Sequence, residues 1–254
     1  MGAPGAIRRP CRPGNSFGSV RSASGKWIEG GGTPLWTAIW AIVRKDVTLE
    51  YRRRWLLASA VLFGFLFVVV LGIAYNGKPL PTDAAAGALW MVLLFSCVTI
   101  LLRTSSFEEE RKAWYALLMA PVDRSAIFYG KLVANILFLF LVELAVTPSF
   151  WLILGVPAPN SWVPLLAGLV AGALGLAAVG TFLLFLTSSS EGREILFPVS
   201  MIPLTIPLLL AVTRLTAGAW GGGGDLFVWY AIAGGYLVLF GLLPWLLFEL
   251  LVEV

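Results

Sequence analysis

An all-α integral membrane protein is the architecture the sequence predicts, with six transmembrane helices preceded by an N-terminal interfacial amphipathic helix. Three observations predict it. The 254 residues are 59% hydrophobic and only 13% charged, with a mean hydropathy of +0.87, whereas a soluble domain is about 25% charged. Six stretches reach the roughly 20 mostly apolar residues that a bilayer crossing needs: 56–75, 84–102, 127–154, 163–186, 195–215 and 227–251. Lys and Arg are also sorted. Sixteen of the 18 fall in the N-terminal segment or near the second and fourth connections, and only Lys78 and Arg214 lie on the other side. Cytoplasmic segments carry such an excess, so both termini are expected in the cytoplasm. The net charge of +4 is then mostly a topology signal, and nucleic acid is not an expected partner.

Composition also excludes chemistry. The chain has no histidine, which removes His-zinc sites, Ser-His-Asp triads and proximal-His haem ligation. Cys11 and Cys97 lie in a polar tail and an apolar run, so a disulfide is not expected, and Cys97 reads as a small buried apolar residue. No phosphate-cradling G-x-x-x-x-G-K-[ST] is present. Before Gly25-Lys26, Val20 stands where the first glycine belongs. Any ATP used is expected to be bound by another chain. No metal site and no catalytic residue is expected.

The elements follow in chain order. Residues 1–34 are rich in Gly, Ser, Pro and Arg and read as a disordered basic tail. From 35 to 54, Trp36, Ile39, Trp40, Val43 and Val47 recur at helical spacing while Arg44, Lys45 and Thr48 face away. That pattern predicts an interfacial amphipathic helix ahead of the first span. Trp90, Trp151, Trp162, Trp229 and Trp245 fall near span ends and read as interfacial anchors.

The connection after the second span is the most informative polar segment. Ser105 and Ser106 precede Glu108 and Glu109 by three residues, a capping-box spacing. Three consecutive acids, Glu108, Glu109 and Glu110, suit the positive end of a helix dipole. Arg111 and Lys112 come next, Trp114, Leu117 and Leu118 form an apolar side, and Pro121 stops the helix. A short amphipathic helix is therefore expected between spans two and three. Its cover is the interface, other helices of this chain or a separate subunit. The turn 187–194 is short and polar and reads as solvated, with a coupling role left open by the span beside it.

Inside the spans, Glu143 is the one acid well within the bilayer zone. Such residues are costly and often functional. Ion or proton coupling competes with helix packing or cavity lining. Gly168-x-x-x-Gly172 in the fourth span allows close helix contact. Pro198, Pro203 and Pro207 each remove a helical hydrogen bond from the fifth span, which predicts a kinked or broken helix, mobile or static.

Three stretches carry a family resemblance: VRKDVTLEYRRR (43–54), SFEEERKAWYALLMAPV (106–122) followed by Gly130-Lys131, and ILFPVSMIPLTIPLLL (195–210). Together with the six spans they resemble the permeases of type-2 ABC exporters, and more closely the CcmB family, haem exporter protein B of cytochrome c biogenesis. The resemblance covers roughly 35–254. It implies a type-2 ABC permease-like fold in a bacterial plasma membrane. It also implies a homodimer paired with an ABC ATPase subunit (CcmA-like) beside further haem-handling membrane subunits (CcmC-like and CcmD-like). ATP is used in the partner, and haem is the pathway ligand. With no histidine and no Trp-rich haem motif (Trp220-Gly-Gly-Gly-Gly-Asp225 does not reproduce it), this chain is the mechanical part rather than the haem site. Residues 107–118 correspond to the coupling helix that docks on the ATPase. The alternative is a permease of another type-2 exporter, for a lipid, drug or polysaccharide. An intramembrane serine protease lacks its histidine here, and a secondary transporter is poorly supported by one intramembrane acid and no evident inverted repeat.

Overall fold

The computed structural model describes residues 35–53, 55–110, 124–187, 192–222 and 224–252. Among these the chain forms seven helices: α1 (Leu35–Arg53), α2 (Trp55–Ala74), α3 (Thr82–Glu110), α4 (Arg124–Leu154), α5 (Trp162–Leu186), α6 (Arg193–Gly218) and α7 (Leu226–Val252). Six of them, α2 to α7, are long and apolar enough to cross a membrane. Hydrocarbon offers no hydrogen-bond partners, so a crossing segment satisfies its own backbone, and a helix does this within one segment. The expected tail, 1–34, lies outside the described residues.

α3 is the most buried span, and α2 and α7 are the least. α3 packs against α2, α4, α5 and α6, and α5 packs most extensively against α6. The α2–α3 turn passes through Asn76 and Gly77 with positive φ of 52° and 68°. The chain beyond it is tied down where the Leu80 N–H donates to the Leu154 carbonyl at 3.2 Å, at the end of α4.

The centre of the bundle is a contact between a ring and a backbone. Trp90, on α3, is only 1% exposed. Its Nε1–H donates to Thr216 Oγ1 on α6 at 2.9 Å, and that hydroxyl donates in turn to the Val212 carbonyl at 2.7 Å. The ring lies on Gly172 of α5, where a Cβ would stand 1.9 Å from Trp90 Cη2. Trp90 is therefore a core residue and not the interfacial anchor expected from its place near a span end. It sits nine residues into α3, about 12 Å along the helix axis, where its N–H needs a protein partner.

The same face of α5 closes on α6 and α3 along its length. A Cβ at Gly168 would stand 3.0 Å from Thr216 Oγ1, one at Gly175 would stand 2.5 Å from Leu208, and one at Gly180 would stand 2.2 Å from Leu101. The Gly168–Gly172 spacing thus does bring helices into close contact.

Two further expectations are corrected. α3 does not end near residue 102; it continues through Ser105 and Ser106 to Glu110. Upstream of these serines the Thr104 hydroxyl bonds back to the Ile100 carbonyl at 2.8 Å. Propagation of an existing helix prevails over the local capping pattern, because each added residue gains a backbone bond without a new nucleation cost.

α1 divides its expected apolar stripe between the outside and the bundle. Trp36 and Trp40 are exposed, while Ile42, Val43, Asp46 and Glu50 are buried. The helix packs on α4, where Ile42 lies against Gly130. Glu50 also caps α2: its Oε1 accepts from the Leu57 N–H at 2.9 Å. The carboxylate satisfies one of the donors that every helix N-terminus leaves open, and it complements the helix dipole.

Finally, α6 runs as one helix through Pro198, Pro203 and Pro207. The break held open as an alternative does not occur.

Gly172→Ala is expected to lower the unfolding midpoint of the purified protein. Overpacking costs about 1–3 kcal/mol against a helix-propensity gain of about 1 kcal/mol, and the ring it would displace is held by Thr216. Gly234→Ala, where nothing lies within 4 Å, is expected to raise the midpoint. Denaturant titration in one detergent checks both, and an unchanged midpoint for Gly172→Ala would show that the ring is free to shift.

Candidate coupling segment and buried polar seam

The segment expected to meet a partner is anchored in long helices at both ends. Phe107, Glu108, Glu109 and Glu110 form the last turn of α3. Arg111, Trp114, Leu117 and Leu118 lie outside the described residues, and α4 begins at Arg124. The first turns of α4 carry Gly130, on which α1 is seated. A push on the segment would therefore reach α3 and α4 directly and α1 at one remove.

α4 also carries a polar seam. Lys131, Asn135, Glu143 and Thr147 are all buried, and their spacing by fours, with Leu139 in the gap, makes each a neighbour of the next along a ridge that winds slowly around the helix. Asn135 Nδ2 donates to Thr181 Oγ1 on α5 at 2.9 Å. Farther along the ridge, Glu143 Oε2 and Thr147 Oγ1 are buried with no hydrogen-bond partner among the described residues, and so is Ser96 Oγ on α3.

Glu143 and Thr147 are one turn apart on α4. Val92, one turn from Ser96 on α3, and Val146 of α4 both close on Gly64 of α2, so α3 and α4 pack together near this level. Glu143 is thus a buried carboxyl with an oxygen that has no partner among the described residues, one turn from the Thr147 hydroxyl, chemistry suited to a water or a proton. Among the described residues no group of three or more His, Cys, Asp or Glu is placed to hold a metal ion. Cys97 is fully buried as expected, its Sγ 3.9 Å from the Leu176 carbonyl.

Sequence reasoning singled out Glu143 and missed Ser96 and Thr147. The four-residue spacing of polar side chains along an otherwise apolar span is the signal that marks Thr147. Nothing local marks Ser96, which lies on α3.

The prolines of α6 lie apart from this seam. Pro203 and Pro207 are on the exposed side of the helix. Two donors serve the carbonyls of that stretch: the Thr205 hydroxyl reaches the Met201 carbonyl at 2.9 Å, and the Tyr236 hydroxyl of α7 reaches the Leu204 carbonyl at 2.9 Å. The proline-bearing helix is thereby tied to α7 at mid-length.

Comparison with known proteins gives the family of this arrangement. The model of the CcmB protein family matches residues 37–244, most of the chain. Over 114 residues, 42% of this chain and 41% of the relative, it is 33% identical to the "Probable ABC transporter permease protein NosY" of Stutzerimonas stutzeri. It is 31% identical over 117 residues, 42% of each chain, to the protein of the same name from Pseudomonas aeruginosa. The chain thus spans about two fifths of the length of these curated relatives. No solved structure matches.

Glu143→Met removes an unpartnered buried oxygen at similar volume. It is expected to stabilise the folded protein by about 1–3 kcal/mol and to fail to restore function in a strain lacking the native gene. Stabilisation with full restoration would assign the carboxyl no functional role.

Proposed function

The chain belongs to the CcmB protein family, and from that membership we propose that it is the permease of an ABC transporter assembly that handles haem for c-type cytochrome maturation. The family match over residues 37–244 carries this reading. The six-span bundle supports it, as does the lack of any nucleotide-binding loop in the sequence. ATP is bound and hydrolysed by a partner ATPase subunit, and this chain is not itself an enzyme. Haem is the cargo of the pathway. With no histidine, the chain supplies no imidazole ligand for it, and its role is to turn the partner's hydrolysis cycle into movement of helices.

In this reading residues 107–118, with Phe107, Glu108, Glu109, Glu110, Arg111, Trp114, Leu117 and Leu118, dock on the ATPase. Trp114, Leu117 and Leu118 fill an apolar pocket of the partner, and the charged residues rim it. Displacement of the segment pulls on α3 and α4 together. The α3–α5–α6 block is too tightly packed to shear easily. It moves as a unit against the less buried α2, carrying α7 with it through the Tyr236 bond to α6, and Pro198, Pro203 and Pro207 set the course α6 takes within it. Two copies of the chain pair with two ATPase subunits beside CcmC-like and CcmD-like subunits. Both termini lie in the cytoplasm of a bacterium, and the bundle spans its plasma membrane. A second reading, permease of another type-2 ABC exporter, is favoured by the two relatives named NosY.

Replacing Trp114 and Leu117 together by Asp is expected to abolish co-purification with the ATPase while the protein still inserts in the membrane; retained binding would move the docking site elsewhere. Deleting the gene is expected to remove covalently bound haem from c-type cytochromes, scored by haem-stained gels of membrane fractions. Normal cytochromes with a defect in another export would establish the second reading.

A further inference from the structure

Arg214 is one of the two basic residues set apart from the other sixteen, and the coupling mechanism has no use for it. It lies four residues before the end of α6 and lines a groove of about 550 Å³ between α3 and α6. Asp83, the second residue of α3, lines the same groove. Both side chains are exposed, and among the described residues they make no ion pair with each other. The Arg214 guanidinium stands 5.9 Å from the centroid of the Trp229 ring on α7, a cation–π arrangement.

Below this charged mouth the groove is apolar. Met91 of α3 and Leu210 and Ile206 of α6 form its walls, each about half exposed. From Arg214 to Ile206 the groove follows two turns of α6, about 12 Å at 1.5 Å per residue. Asp83 is in the first turn of α3 and Arg214 in the last turns of α6, so the mouth sits at the level of lipid headgroups and the slot runs into the hydrocarbon. The exposed walls open it sideways to the bilayer. An acid and a base held apart across the mouth of an apolar slot complement a ligand with two opposite charges on one head and a hydrocarbon chain behind them.

We propose that the α3–α6 groove is a binding site for a zwitterionic phospholipid with a primary ammonium, Arg214 taking its phosphate and Asp83 its ammonium, with an acyl chain along Met91, Leu210 and Ile206. A phosphatidylglycerol offers no cation to Asp83. A phosphatidylcholine offers one without N–H donors, so it forfeits the charge-assisted hydrogen bond. The site does not depend on what the assembly transports.

The test is thermal unfolding of the full-length protein in mild detergent, titrated with palmitoyl-oleoyl phosphatidylethanolamine, phosphatidylcholine or phosphatidylglycerol. The ethanolamine lipid is expected to raise the unfolding temperature at about tenfold lower concentration than the other two, the scale of one lost charged hydrogen bond. Arg214→Gln is expected to weaken the response to all three, and Asp83→Asn to erase the preference for ethanolamine. Both residues are exposed, so the lipid-free unfolding temperature of each variant should match the parent. If either variant proves unstable, Leu210→Trp, which fills the slot from an exposed position, is expected to abolish the response by itself. Equal stabilisation by all three lipids, or a preference that survives both Asp83→Asn and Leu210→Trp, would overturn the proposal. So would a change of oligomeric state with these variants in place of a change in lipid response, which would assign the groove to a second copy of the chain.

Discussion

The bundle depends on one indole ring. Trp90 is the point at which α3, α5 and α6 meet: the Cη2–Cζ3 edge of its ring lies against Gly172 and its N–H is bonded to Thr216. Lipid tails are as apolar as leucine, so helices in a bilayer are not driven together by the hydrophobic effect as they are in water; packing and hydrogen bonds decide. The ring supplies both, a large surface against a bare helix backbone and a buried donor that would cost about 1–3 kcal/mol if left unpaired. The other close approaches of α5, at Gly168, Gly175 and Gly180, follow from the same spacing. A helix with three prolines is thereby held along its length by a helix rich in glycine, and what α6 lacks in internal hydrogen bonds it gains in contact.

Much of this fold was legible in the sequence, because hydropathy reports a solvent requirement and every span must meet it. The glycine spacing of α5 also reads correctly, since close approach is a local capability of a small-residue face. Readings went astray where the deciding partner is distant. Trp90 looks like an interfacial ring when judged by its place near a span end, yet Thr216, which accepts its hydrogen, is 126 residues away. The serine–glutamate pattern after the second span looks like a helix start, and α3 passes through it, because the cap signal presumes a helix that has already stopped. On α1 the apolar stripe from Trp36 to Val47 reads as lying in the interface, with no protein contact assigned to it. Burial falls instead on Ile42, Val43, Asp46 and Glu50, because Gly130 of α4 accepts Ile42, and that fit is a property of the pair. The candidate site follows the same rule. Glu143 announces itself by charge, whereas nothing in the local sequence marks Ser96 as a buried hydroxyl without a partner among the described residues.

The arrangement separates tasks along the chain. The α3–α5–α6 block is dense and carries most of the largest fully buried side chains, so it has little room for internal adjustment. The polar seam of α4 lies beside it and contains buried oxygens without partners, the local arrangement least favoured by a static structure. The helices that flank the candidate coupling segment are thus the ones that hold these two contrasting regions, α3 contributing to the block and α4 to the seam.

The Glu50 cap has a consequence for biosynthesis. α1 is made before α2, so the carboxylate is in place when the first apolar segment emerges. Its bond to the Leu57 N–H fixes one amide in the first turn of α2. A slip of α2 by one residue would turn a different amide toward the carboxylate and break this match. Glu50 therefore ties the start of α2 to α1 before any later helix is made.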